Sequence, residues 1–202
     1  MLAVAGARRG AGRPEATSHA EIEQAAFALF AEQGFDATTL EAIAEAVGVS
    51  RRTLFRYYAS KNDIPWGQFD QTLERFRALL RAEPDELPLW QAVHNAVRHF
   101  NEFPQDAQPP HVERMRLILH TPTLQSHSVL RYAEWRRVIQ EYVAGRLRLE
   151  PGDPLPLLVG HVSLAFAHAA YDVWLADPAQ SLPDLVSEQM SALRHYLDSA
   201  AP

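Results

Sequence analysis

The chain contains no cysteine. That excludes a disulfide scaffold, Cys-ligated zinc or iron–sulfur and a cysteine nucleophile, and it fits the reducing cytoplasm. Long apolar runs are missing too. Each hydrophobic stretch is broken by His, Asp or Pro before the roughly 18 residues that a membrane-spanning helix needs, so no membrane partner is expected. Residues 1–17 place their arginines after a short apolar start, the reverse of a secretory leader, and read as a flexible basic arm. Positive charge is in deficit: 19 Lys and Arg stand against 25 Asp and Glu, a net −6. Such a chain is not drawn to polyanions as a whole, so any affinity for nucleic acid must be local. With 202 residues, of which 47% are hydrophobic, it can bury a sizeable core without staples.

The positive charge that is present sits unevenly. Residues 1–61 hold seven basic and seven acidic side chains, so the whole net negative charge lies in residues 62–202. Arg8, Arg9 and Arg13 fall in the arm. Arg51, Arg52, Arg56 and Lys61 fall within eleven residues that contain no acid.

Strand signals are also absent, and the periodicities predict nine helices. Ser18 and Glu21 have capping-box spacing, and Ile22, Ala25, Ala26, Leu29 and Phe30 repeat as one apolar stripe before the stop at Gly34. Thr38, with Glu41 three residues on, opens a second helix that ends at Gly48. Ser50 caps a third, very short helix through about Tyr57. Only Gly48–Val49–Ser50 separates these two, which is the glycine-containing turn of a helix-turn-helix. The unit is too small to bury its own core, so the first helix must cross both, with Phe27, Phe30, Leu40, Ile43, Val47, Leu54 and Tyr58 as filling. Ser60 and Asp63 start a fourth helix, expected to run unbroken from Lys61 to Ala82 with Pro65 in its first turns. Prolines then punctuate helices at about 88–103, 111–120, 123–149, 155–176 and 182–198. The expected divisions are an arm (1–17), a helix-turn-helix domain (18–60) and a helical body (61–202).

The segment 48–61, GVSRRTLFRYYASK, carries the chemistry. With Ser50 as cap, Leu54 and Tyr58 turn to the core, and Arg51, Arg52, Arg56 and Tyr57 stay outward. A helix that enters a major groove sets its N-terminal residues against base edges, and the planar fork of arginine donates to guanine O6 and N7 together. The hydroxyls of Thr53 and Thr39, with the helix N-terminus, suit phosphates. Lys61 is placed for a backbone phosphate, and the arm arginines suit an adjacent minor groove. The helix-opening Thr38 and Ser50 join this DNA-facing set.

TTLEAIAEAVGVSRRTLFRYYASKNDIPW resembles the DNA-binding domain of the TetR family of bacterial transcriptional regulators. RRTLFRYYASKNDIPWGQFD, LILHTPTLQSHSVLRYAEWRRVI and AAYDVWLADP resemble the mycofactocin-system regulators, a TetR subgroup. The resemblance implies an all-α, nine-helix homodimer that binds a palindromic operator through its first three helices. It implies a small-molecule pocket in the C-terminal domain and dimerisation through the last two helices. By position, Thr39, Arg51, Arg52, Phe55, Arg56, Tyr57 and Lys61 occupy places where members touch DNA. Phe55 departs from the family, many of whose members carry a tyrosine there that meets a phosphate.

In the body, Trp66, Phe69, Phe76, Phe100, Phe103, Met115, Leu119, His120, Trp135, Tyr142, His161, His168 and Tyr171 lie on apolar faces. Ordinary core packing explains each singly; together, several, with Tyr142 outside the set, are expected to line a mostly apolar pocket for a large, mainly hydrophobic effector, and the resemblance implies an acyl-CoA-like thioester as one candidate. Val159, Val162, Phe166 and Val173, with Leu185, Met190 and Leu193, form the expected dimer faces. Nine histidines give no i, i+4 pair with a third ligand, so neither metal nor cofactor is expected. No catalytic set is found, so no enzyme is expected; the resemblance implies a ligand-responsive repressor of a mycofactocin-type gene cluster. A small-molecule carrier without sequence-specific DNA affinity stays open as the alternative.

Overall fold

The computed structural model describes residues 17–199. Nine α-helices follow in order: α1 His19–Gln33, α2 Leu40–Ala46, α3 Arg51–Leu54, α4 Phe69–Ala82, α5 Leu89–Phe100, α6 His111–His120, α7 Pro122–Leu147, α8 Pro154–Ala176 and α9 Leu182–Ser199. No strand occurs among the described residues. The helix ends lie where the caps put them. Ser18 and Glu21 form the full capping box of α1, and Gly34 closes it with φ +86°. Pro122 and Pro154 stand in the first turns of α7 and α8, where a missing N–H costs nothing.

Two expectations are corrected. α2 is capped by Thr39, whose hydroxyl accepts from the Ala42 amide at 3.1 Å, and not by Thr38. Thr38 is 1% exposed and donates its hydroxyl proton to the Gly34 carbonyl at 2.8 Å, so it belongs to the loop that closes α1. The fourth helix is not continuous. Lys61–Trp66 forms a 3-10 turn, Gly67 takes φ +59°, and α4 begins at Phe69. The proline ring at position 65 blocks an i−4 hydrogen bond, and the positive φ at Gly67 ends the turn and redirects the chain.

The helices build two cores. Ile22, Ala26, Phe27, Phe30, Phe35, Ile43, Ala44, Leu54 and Tyr58 fill the three-helix head, with Ile64 and Leu124 reaching in from the 3-10 turn and α7. The head core therefore draws on residues beyond 18–60. Phe69, Phe76, Leu80, Val93, Ile118, Trp135, Ile139, Tyr171 and Val186 fill the body, where α7 packs most extensively on α8 and α8 on α9. Each such apolar side chain contributes about 1.5–3 kcal/mol when fully buried.

Candidate DNA-reading head and ligand cavity

The reading head presents α3. Ser50 accepts from the Thr53 amide at 3.1 Å, and the two hydroxyls lie 2.9 Å apart. Arg52 and Arg56 are exposed and make no ion pair among the described residues. Arg51 pairs with Glu41 of α2 at 2.6 Å and lies over the exposed Phe55 ring at 5.3 Å. Both members of that pair are more than half exposed. Its worth is about 0–1 kcal/mol, so a phosphate or base edge can displace it.

Two members of the expected DNA set are otherwise engaged. The Tyr57 hydroxyl donates to the Thr17 carbonyl at 2.6 Å, and its ring meets His19 edge-on. Thr17 is buried and hydrogen-bonds Glu21, so it is part of the head rather than of the arm. Lys61 donates to the carbonyls of Phe35 and Thr38, both at 2.7 Å, and of Asp36 at 3.3 Å, with its ammonium 4.5 Å from the Phe35 ring. All three ammonium protons are used, so Lys61 latches the α1–α2 loop and has none left for a phosphate. Burial holds its pKa below the ordinary value, against the pull of Asp36. Arg8, Arg9 and Arg13 lie outside the described residues.

A cavity of about 520 Å³ opens between α4, α6, α7, α8 and the segment after α5. Of the expected pocket residues it brings together Trp66, Phe69, Phe100, Phe103, Met115, Trp135, His168 and Tyr171. Phe76 is instead fully buried, stacked on Trp135 at 5.0 Å. Leu119 packs on the body core away from the cavity, and Tyr142 packs there too, its hydroxyl accepting from Arg146 at 2.7 Å. His120 and His161 face solvent, because each sits on the outer side of its helix.

Sequence reasoning missed most of the polar wall: Asn101, His111, Arg114 and Tyr132. Tyr171 donates to Asn101 Oδ1 at 2.9 Å, and Asn101 Nδ2 donates to the Val97 carbonyl at 2.8 Å. The single proton of Tyr171 is thereby used, so His111 Nε2, 2.9 Å from the Tyr171 hydroxyl, must carry the hydrogen and donate. Burial, with a smaller push from Arg114, lowers the His111 pKa to about 3, and the ring stays neutral. It stacks on Phe103 with centroids 3.5 Å apart.

Head and cavity share a wall. Arg114 of α6 donates to the Pro65 carbonyl at 2.6 Å and to the carboxylate of Glu23 on α1. Glu23 is buried and also accepts from Tyr58 at 2.6 Å. A Cβ at position 67 would stand 3.3 Å from both Arg114 Nη1 and Glu23 Oε1, so Gly67 is held both by its φ and by this contact. A second clamp joins the 3-10 turn to α7. Asp63 Oδ1 accepts from Arg131 at 2.7 Å and lies 3.0 Å from His127 Nε2, and Ser60 donates to Oδ2 at 2.7 Å.

On the opposite side of the body, Leu158 is 58% and Val173 40% exposed on α8. Val159, Val162, Phe166, Met190 and Leu193 line a groove between α5, α8 and α9. Leu185, expected on this face, is 4% exposed and belongs to the body core. No group of three or more His, Cys, Asp or Glu side chains able to hold a metal occurs among the described residues. None of the described helices is long and apolar enough to cross a membrane.

A three-helix head with a glycine-turned helix-turn-helix, joined through a shared wall to a helical body that holds a cavity, is the plan of a one-component transcriptional regulator. Residues 22–64 match the model of the bacterial regulatory proteins of the tetR family, and residues 87–198 match the MftR C-terminal domain. The chain is 40% identical over 187 residues to a Mycobacterium tuberculosis protein named as a mycofactocin biosynthesis transcriptional regulator, MftR, with 93% of this chain and 94% of that protein covered. Its fold is similar to the fatty acid degradation regulator FadR of Bacillus halodurans, with a TM-score of 0.59, 17% identity and coverage of 87% and 97%. It is also similar to Thermus thermophilus FadR in complex with lauroyl-CoA, with a TM-score of 0.56, 21% identity and coverage of 92% and 96%. The chain belongs to the TetR family of transcriptional regulators, and its body is of the MftR type.

Proposed function

We propose that this protein is a cytoplasmic, ligand-released repressor that binds a two-fold symmetric operator as a homodimer and does no catalysis. The observation that carries the reading is the shared wall, in which Arg114 lines the cavity and holds Glu23 of α1. A molecule that presses on α6 or the 3-10 turn acts on the head through that ion pair and through Gly67. The effector is small and mainly apolar, which suits the aromatic lining; the lauroyl-CoA bound by the Thermus relative makes an acyl thioester a natural candidate. The regulated genes are of the mycofactocin type, by analogy with the Mycobacterium tuberculosis relative.

In this reading Arg51, Arg52 and Arg56 contact base edges or phosphates, and Thr39, Ser50, Thr53 and Phe55 border them. Tyr57 supports α3 through Thr17 and does not bond a phosphate. The exposed face of α8 and the flanking α9 residues pair two copies, which sets two heads one helical turn of DNA apart, about 34–36 Å.

The test is footprinting and fluorescence anisotropy on DNA flanking the gene that encodes the protein, with random duplex as competitor. A two-fold footprint is expected. Arg52→Ala is expected to lower operator affinity by about 1–3 kcal/mol with little loss on random duplex. Equal losses on both, or no preference in the native protein, would leave a ligand carrier as the better description.

A further inference from the structure

The cavity lining holds two polar groups of different character. In the His111–Tyr171–Asn101 chain the hydrogens of His111 Nε2 and Tyr171 and one of the two on Asn101 Nδ2 are given inside the protein. Beside that chain in the cavity lining, Trp66, Tyr132 and His168 form a contiguous row. Tyr132 meets Trp66 edge-on at 5.5 Å and His168 edge-on at 4.7 Å. Trp66 Nε1, the Tyr132 hydroxyl and His168 Nε2 are all screened from solvent and have no hydrogen-bond partner among the described residues. The Ser128 hydroxyl lies one turn before Tyr132 on α7; its proton goes to the Leu124 carbonyl at 2.6 Å, and its oxygen draws the Tyr132 phenol slightly down in pKa without completing a hydrogen bond to it. Each buried polar atom left unpaired costs about 1–3 kcal/mol, and three together in one wall of a cavity are a site awaiting a partner.

The donors fix the chemistry of that partner. Trp66 Nε1 can only donate, so the partner must bring an acceptor. The row itself is uncharged. Burial holds His168 below its ordinary pKa, while Asp172 and Arg136 act on it with opposite sign. Burial pushes Tyr132 up to about 12. Neither arginine of the cavity lining is placed in the row by a bond to it, and only Arg114 has its charge answered by a carboxylate. Arg75 donates to the carbonyls of His99 and Glu102, both at 3.3 Å, and Arg114 is answered by Glu23 and Pro65. An ionised carboxylate set against the row would exchange its water for uncharged groups only, which is costly. A carbonyl oxygen loses less and gains up to three donors.

Resting on the cavity being the effector site, we propose that its ligand carries an uncharged carbonyl (ketone, ester, thioester or amide), received by Trp66, Tyr132 and His168, with its apolar chain along Phe69, Trp135 and Met115. The row is a specificity determinant: it takes the neutral carbonyl and turns away the matching free acid.

The test uses methyl octyl ketone and decanoate, of equal carbon count, with the full chain near pH 7 by calorimetry and thermal shift. The ketone is expected to bind at least about tenfold more tightly than decanoate. Tyr132→Phe and Trp66→Phe are each expected to weaken the ketone about three- to tenfold, one hydrogen bond's worth, and to leave decanoate unchanged. Both parts are required, since the hydration of an ion favours the ketone by itself. Circular dichroism and melting of each variant establish that it folds. If decanoate binds as well as the ketone, or if both variants keep the full ketone affinity, the neutral-carbonyl site is wrong and the cavity reading stands. If neither probe binds, or if Leu164→Trp in the cavity wall folds and leaves both affinities intact, the cavity reading falls with it.

Discussion

Arg114 and Glu23, 91 positions apart in sequence, form an ion pair where α1 of the three-helix head borders the cavity. Their side chains are 17% and 10% exposed, so each charge depends on the other. Tyr58, which follows α3, donates to the same carboxylate, and burial together with that bond raises its phenol pKa well above the ordinary value. One carboxylate thus joins α1, the chain after α3, α6 and, by contact, Gly67.

Glu23→Gln keeps the shape of this junction and removes its charge. It is expected to lower stability by roughly 2–4 kcal/mol, because Arg114 stays partly buried without its counter-ion. Ligand affinity is expected to change little, since Arg114 keeps its place through the Pro65 carbonyl. The factor by which ligand weakens operator binding is expected to shrink toward one. Measuring DNA affinity with and without saturating ligand, and ligand affinity with and without DNA, checks this, because the two factors must be equal by linkage.

Lys61→Met separates a latch from a phosphate contact. Loss of a phosphate contact would flatten the salt dependence of DNA binding by about one unit of slope. Since the ammonium is spent on three loop carbonyls, the slope is expected to stay as in the native protein. The melting temperature is expected to fall with the lost charge-assisted bonds, about 1.5–3 kcal/mol. Anisotropy titrations at several salt concentrations, with a thermal melt, distinguish the two.

The Asp63 clamp predicts a pH dependence. Burial alone would raise its pKa, but Ser60, Arg131 and His127 outweigh burial and hold it below the ordinary carboxylate range. A group so depressed contributes stability that is present above the unfolded value of about 4 and is lost as pH falls through the lower folded value. Asp63→Asn is therefore expected to cost about 1–3 kcal/mol near neutrality and progressively less in acid. Urea melts of both proteins across the pH range from about 7 to 3 would show the gap close.

The helices were legible because their ends carry local chemistry: the Ser18–Glu21 box, the glycines at 34 and 48, and the prolines at 122 and 154. Where two local signals compete, tertiary closure decides. Thr38 and Thr39 are equally good caps, and only the bond from Thr38 to the Gly34 carbonyl assigns the role to Thr39. Lys61 stands at a position the family resemblance assigned to DNA, and the carbonyls that claim it lie 23 to 26 residues away. The cavity was legible as a set of aromatics but not as a shape. Phe76 and Trp135 have the same periodic standing, and which of them borders empty space depends on how they stack. Arg114 and His111 gave no signal, since a charged residue and a histidine near a helix start are ordinarily solvated, and their partners lie on other helices.

The proposed dimer face offers a contrast within two helices. Leu158 and Leu185 have the same residue type, and both lie on helices expected to pair copies. Leu158 is 58% exposed, whereas Leu185 is 4% exposed beneath α5 and α8. Leu158→Glu is expected to leave the isolated subunit within about 0.5 kcal/mol of native stability, as a surface change does. If α8 pairs two copies, that glutamate is buried at the interface without a cation, and the dimer dissociates. Leu185→Glu places the same charge inside the body core and is expected to unfold it. Sedimentation velocity on Leu158→Glu should then show a folded monomer, with operator affinity reduced at least about a hundredfold, because one head holds only half of a two-fold site. A folded Leu158→Glu dimer with native operator affinity would move the interface off this face of α8.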